Sequence, residues 1–163
     1  MDPGFGSSPT GLVLCEHLKD HDKIIVRQTE TFTKSDPNYI KDVCFDLHRK
    51  YWNLWFICDS SNRAFLNLLK VAFGESLNWD PKKVSPNNMR VIPISFNKDH
   101  STMLQHLHLM INKQYLAIPE KHHDLIVSLR TAQAIIYSLD KQRTRRSDLL
   151  DSFRLSFKGY NIR

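Results

Sequence analysis

The sequence predicts an α/β protein with a mixed sheet flanked by helices, and three observations predict it. Segments 11–16 and 23–33 carry the apolar and β-branched residues of strands, with the polar Lys19-Asp20-His21-Asp22 between them as the turn of a hairpin. The continuous apolar run Leu54-Trp55-Phe56-Ile57-Cys58 lies between two segments of helical periodicity, as a strand buried on both faces would. From there strand-like and helix-like segments alternate, which makes the later strand-helix-strand units parallel while the early hairpin is antiparallel.

Each element has its local reason. Ser35-Asp36-Pro37 is a helix start with proline near the first helical position. Ile40, Val43, Cys44, Leu47 and Tyr51 then follow at helical spacing until Asn53. After Asp59, Ser60 or Ser61 is positioned to cap a helix with the stripe Phe65, Leu68, Leu69, Ala72 and Phe73, and Gly74 stops it. Residues 78–88, with Pro81 and Pro86, read as a loop. Residues 90–96 predict a strand, 101–112 a helix, 115–118 a short strand ended by Pro119, and 124–134 and 148–158 two further helices.

The 163 residues suit one domain, 1–163, large enough for a real core. An apolar share of 41% argues against disorder. Lys and Arg number 23 against 17 Asp and Glu, and this excess suits a polyanionic partner such as nucleic acid. The basic residues gather late in the chain, at Lys141, Arg143, Arg145, Arg146, Arg154, Lys158 and Arg163, with Asp148 and Asp151 among them. A solvated helix end would account for this stretch, and so would a phosphate-binding surface beside a metal site. Cys15, Cys44 and Cys58 have no paired spacing and lie in apolar segments, so they read as small buried residues of a reducing cytoplasm. No apolar run has the roughly 18 residues that a membrane span needs, and no signal peptide opens the chain.

Three acids stand in telling places. Asp59 ends a buried strand at the entry to a helix, where α/β sheets place their active sites; the plainer account is a helix cap. Asp2 precedes Pro3-Gly4-Phe5-Gly6, where glycines permit a sharp turn and close approach of a ligand; a loose terminus is the alternative. Asp148 and Asp151 are three apart and share one face of the last helix, where first-turn acids also serve as caps. The histidines at 106 and 108, and at 122 and 123, lack the spacing of a helical zinc site. The glycine-rich start has no lysine after it and is no phosphate-cradling Walker loop.

In their order, Asp2-Pro3-Gly4-Phe5-Gly6-Ser7-Ser8, Trp55-Phe56-Ile57-Cys58-Asp59 with Asn62-Arg63-Ala64-Phe65, and Ser147-Asp148-Leu149-Leu150-Asp151-Ser152-Phe153 resemble the nuclease domain of terminase large subunits, the DNA-packaging proteins of tailed viruses and proviruses. The resemblance spans nearly the whole chain. It implies a ribonuclease H-like fold and metal-dependent endonucleolytic cutting of double-stranded DNA. By position, Asp2 matches the first catalytic acid, Asp59 the second and Asp148 the third, with Asp151 the alternative for the last. It further implies two Mg²⁺ or Mn²⁺ ions about 3.5–4 Å apart on these carboxylates. Lys141, Arg143, Arg145 and Arg146, with Arg63, would then hold the DNA backbone without reading sequence. Other implied partners are an ATPase domain or other packaging components, and the implied location is the cytoplasm, that of the host if the protein is viral.

The departure from the family pattern is at the front. The first acid should end a full central strand, yet only Met1 precedes Asp2, so the first strand reads as truncated and the ATPase domain as absent. A missing central strand would leave backbone groups of both neighbours unpaired, at roughly 1–3 kcal/mol for each buried group. The rival readings are a non-catalytic fragment that binds DNA or a packaging partner, and another ribonuclease H-like nuclease such as a junction resolvase.

Overall fold

The computed structural model of the protein describes residues 1–4, 8–33, 36–51, 53–74, 91–135 and 138–159. Strands β1 (Thr10–Leu18) and β2 (Lys23–Phe32) form the expected antiparallel hairpin, joined by a 3-10 turn over Lys19–His21. The register slips between Leu14 and Cys15: Leu14 faces Gln28 and Cys15 faces Val26, so Arg27 is the extra residue of a bulge. Helix α1 (Pro37–Lys50) starts as its sequence signals: Asp36 accepts from the Asn38 amide and Pro37 takes the first position.

The parallel unit follows. Strand β3 (Phe56–Asp59), helix α2 (Arg63–Ala72) and strand β4 (Val91–Ile94) make one crossover, with Phe56 opposite Val91 and Asp59 opposite Ile94. Helix α3 (Phe96–Asn112) leads to the two-residue strand β5 (Leu116–Ala117), which lies parallel to β2. Helix α4 (His123–Thr131), a short antiparallel pair of β6 (Ala134–Ile135) and β7 (Ser138–Leu139), and helix α5 (Ser147–Ser156) complete the order.

Met1 and Asp2 fill the slot between the two sheet halves. The Met1 nitrogen donates to the Ile57 carbonyl at 2.6 Å and the Asp59 amide donates to the Met1 carbonyl at 3.3 Å. On the other side Asp2 and Gly11 exchange a pair of antiparallel bonds, each 3.0 Å. Two residues thereby connect β1 to β3, giving the spatial order β5-β2-β1-(1–2)-β3-β4. Backbone groups of β1 and β3 that were expected to lack partners are paired here by residues 1 and 2.

Alternation along the buried strands sends side chains into separate cores on the two faces. Leu12 and Leu14 of β1, with Phe56 and Cys58 of β3, pack against Ile40, Cys44, Phe65 and Leu69 of α1 and α2. Val13 faces the other way, into Leu125, Leu149, Leu150 and Phe153 of α4 and α5, and Ile57 meets Met103 and Leu155. At about 1.5–3 kcal/mol for each large apolar side chain fully buried, these two layers are the main support of the fold.

Several boundaries differ from the sequence expectation. The cap of α2 is Asn62, whose side chain accepts from the Phe65 amide; Ser61 donates instead to Asp59. The strand expected over 90–96 stops at Ile94, and α3 begins at Phe96 rather than 101, because the Phe96 amide turns to the Asp59 carboxylate. The helix expected to reach 134 ends at Thr131, whose hydroxyl donates back to the Val127 carbonyl, and Ala134 enters β6. The loop expected over 78–88 lies outside the described residues.

Candidate metal centre

A cavity of about 270 Å³ opens at the C-terminal ends of β3 and β4, lined by Asp2, Asp59 and Asp151 with Ser61, Phe96 and Lys141 among its other walls. Each acid arrives on a different element. Asp59 is the last residue of β3, nearly buried, and three groups fix its carboxylate. The Ser61 hydroxyl donates to Oδ2 at 2.5 Å, while the amides of Ser61 and Phe96 donate to Oδ1 at 3.4 and 3.3 Å. The sequence alternatives for Asp59 were a site acid or a helix cap. The cap role belongs to Asn62, which leaves Asp59 facing the cavity.

Asp2 is carried into the cavity by the two-residue slot at the sheet centre. Its carboxyl is pushed up to about 6, chiefly by burial and next by the nearby Asp151 carboxylate, with Asp59 adding to the same effect. Lys141 acts in the opposite direction. Negative charge is thus crowded into a space that disfavours it, a condition that a cation relieves.

Asp151 lies on α5 with no exposed surface. Arg154, one turn on and equally buried, pairs with its Oδ1, and Lys141 Nζ approaches Oδ2 at 2.6 Å. The latter is a contact of charge, since no hydrogen bond of good geometry from the described residues reaches that oxygen. Asp148 sits a turn earlier and is not part of the cavity lining. Its backbone carbonyl presses on β1, where a Cβ on Gly11 would come within 2.3 Å of it. Burial raises the Asp148 carboxyl, and it is coupled to both Lys141 and Asp151.

The basic residues divide. Lys141 belongs to the cavity wall; burial alone would lower its ammonium, but the Asp151 carboxylate outweighs that and raises it. Arg63, Arg143, Arg145 and Arg146 are exposed. Arg63 opens α2 just beyond the cavity-lining Ser60 and Ser61, and Arg146 precedes α5 in the left-handed region at φ 54. Sequence reasoning missed Arg154 as a partner of the site. Its spacing of three from Asp151 on a helix was the available signal.

Three carboxylates on rigid strand and helix positions are oxygen donors of the kind that hard divalent cations take. Among the described residues, no three His, Cys, Asp or Glu side chains already converge as a ligand cage. Asp151 is held by Lys141 and Arg154, while Asp2 and Asp59 face the same space. The donor set fits a divalent ion, provided that Asp151 is released from one of its cations.

No family model matches the sequence, and no curated protein matches it either. Solved structures do match by shape. The large terminase nuclease domain of bacteriophage SPP1, solved with bound Mn, aligns at a TM-score of 0.69 and 16% identity over 97% of this chain and 82% of that one. The large terminase nuclease of thermophilic phage G20c aligns at 0.71 and 13% identity, over 98% and 80%. The same nuclease with bound magnesium gives 0.71 and 14%, over 98% and 79%. The protein therefore has the ribonuclease H-like fold of the terminase nucleases, a mixed sheet flanked by helices, as the sequence resemblance implied. No helix among the described residues is long and apolar enough to cross a membrane.

Proposed function

We propose that the protein is a divalent-metal-dependent DNA endonuclease of the terminase type, with Asp2, Asp59 and Asp151 as the carboxylates that hold Mg²⁺ or Mn²⁺. The observation that carries this reading is the meeting of three acids from separate elements in one cavity at the strand ends. The metal-bound nucleases of the same fold support it. Asp151 takes the last position in preference to Asp148 because it lines the cavity and Asp148 does not.

The chemistry that one or two such ions supply is an activated water and neutralised charge at the phosphate and the leaving 3′ oxygen. The protein's own part is positional. The Ser61 hydroxyl and the amides of Ser61 and Phe96 hold Asp59 in a single orientation. The pairing of residues 1–2 with β1 and β3 sets Asp2 opposite it. Arg154 pairs with Asp151 Oδ1 and holds its carboxylate in a buried place. The exposed Arg63, Arg143, Arg145 and Arg146 would hold DNA phosphates from outside the cavity, and the remaining partners would be other packaging components.

The test is cleavage of supercoiled plasmid with Mn²⁺ by the wild type and by Asp59→Ala. Metal-dependent products from the wild type alone support the proposal; equal cutting by both sinks it. One observation favours a second reading, a DNA- or partner-binding module without catalysis: both oxygens of Asp151 are already engaged by protein cations. That reading predicts DNA retention falling steeply with salt and no metal-dependent products. Preference for branched over linear duplex would point to a resolvase-like nuclease instead.

A further inference from the structure

We infer that the Lys141 ammonium is a tethered counter-ion of the acidic cavity, holding Asp151 when no divalent ion is bound and leaving it when one binds. The inference rests on the metal-site reading above and adds a competitor to it.

Asp151 is wholly buried, with a cation on each oxygen. A divalent ion that approaches either oxygen meets a like charge already packed against it, and that repulsion favours withdrawal of one cation as the metal is ligated. The two are not equally free to do so. Arg154 has no exposed surface, and its guanidinium carbon lies 4.8 Å from the centroid of the Phe96 ring. Withdrawing it would strand a buried charge. The Lys141 side chain is 56% exposed and follows β7 on a turn, with a flexible four-carbon stem that water already reaches. Lys141 is the one that leaves.

Like-charge repulsion gives the same answer. The groups facing the ammonium are Asp2, Asp148 and Asp151, with Asp59 across the cavity and Arg154 beneath Asp151. A divalent ion on the lining carboxylates Asp2, Asp59 and Asp151 repels an ammonium held 2.6 Å from Asp151 Oδ2, and Lys141 has open solvent into which to withdraw. The Phe96 ring, 5.7 Å from Lys141 Nζ, offers only a weak hold on a partly exposed cation.

The test is direct Mn²⁺ binding at pH 7.5, read from the electron paramagnetic resonance signal of free Mn²⁺, for the wild type, Lys141→Met and Lys141→Arg. Lys141→Met is expected to bind at least about fivefold more tightly than the wild type, since a partly exposed ion pair no longer competes. Lys141→Arg, which keeps the competing charge, should match the wild type. In EDTA, Lys141→Met should melt below the wild type, and saturating Mn²⁺ should raise its Tm by more. If Lys141→Met does not fold, Lys141→Gln carries the same expectation. Equal or weaker binding by the neutral variant overturns the inference and leaves the metal site standing. Absence of Mn²⁺ binding in every protein, wild type included, defeats the site reading and the inference with it.

Discussion

Asp151 and Arg154, one turn apart on α5, form an ion pair in which neither side chain reaches solvent. The guanidinium Nε and Nη1 find no hydrogen-bond partner among the described residues, so the pair is held at a desolvation cost that a purely structural helix would avoid. Removing one partner is expected to be severe. Arg154→Met should destabilise the protein by about 3–5 kcal/mol, because the Asp151 charge is then left buried beside Asp2 and Asp59. Urea unfolding in EDTA measures it. The double variant Asp151→Leu/Arg154→Met should recover most of the loss, and a double variant as unstable as Arg154→Met would contradict this account.

Asp2 links stability to pH. Its carboxyl is raised from 3.8 to about 6, mainly by burial, so the folded chain holds this proton more tightly than the unfolded chain does. Asp2 therefore costs stability progressively as pH rises from about 4 to about 6, and the full cost stands above 6. Asp2→Asn is expected to be more stable than the wild type by about 3 kcal/mol at pH 7.5 in EDTA, with the gap closing by pH 4. A gap of constant size across this range would refute the assignment.

Gly11 has no room for a side chain. A Cβ there would meet the Asp148 carbonyl oxygen at 2.3 Å and its carbon at 2.6 Å, both backbone atoms at the start of α5. Ser152 also donates to the Gly11 carbonyl at 2.9 Å, pinning the helix to the strand. Gly11→Ala should cost about 3 kcal/mol or more, because neither backbone can yield cheaply. Thermal melting reads the loss, and an unchanged Tm would mean that the helix start gives way freely.

The two acids of α5 can be separated by substitution. Asp151→Asn should weaken Mn²⁺ binding by at least about 100-fold, as the loss of a direct ligand exceeds that of an outer partner. Asp148→Asn should stay within about threefold of the wild type, the size of a partly screened charge effect. Isothermal titration with Mn²⁺ checks both. The reverse order of effects would return the third position to Asp148.

Much of this architecture was readable from residue pattern, and the failures have physical reasons. The hairpin, α1 and β3 announced themselves because periodicity, turn residues and the Asp36-Pro37 start all agreed. The first turn of α3 did not. Asn97, Lys98 and Asp99 offer no apolar stripe, and the helix begins where the Phe96 amide bonds Asp59, a contact between residues far apart in sequence. The family motif put Asp148 in the third position with Asp151 as the alternative, and a spacing of three puts both on one side of a helix. Only the packing of Asp148 against Gly11 and the burial of Asp151 beside Lys141 separate them. Arg154 hid among the basic residues of a solvated-looking tail, and its burial follows from tertiary packing alone.

The slot held by Met1 and Asp2 also governs how the sheet comes apart. Four backbone hydrogen bonds, each worth about 1 kcal/mol net, and one buried methionine fasten the centre of the molecule. Such a seam is expected to open before the protein unfolds globally. The amides of Gly11 and Asp59, distant in sequence, should then exchange their hydrogens for deuterium together, in one concerted event. The Ser60 amide, bonded across to Ile94, should outlast them. Each opening withdraws one carboxylate and frees both neighbouring strands at once, so the fraction of time that the acids stand assembled is set by the breathing of this seam.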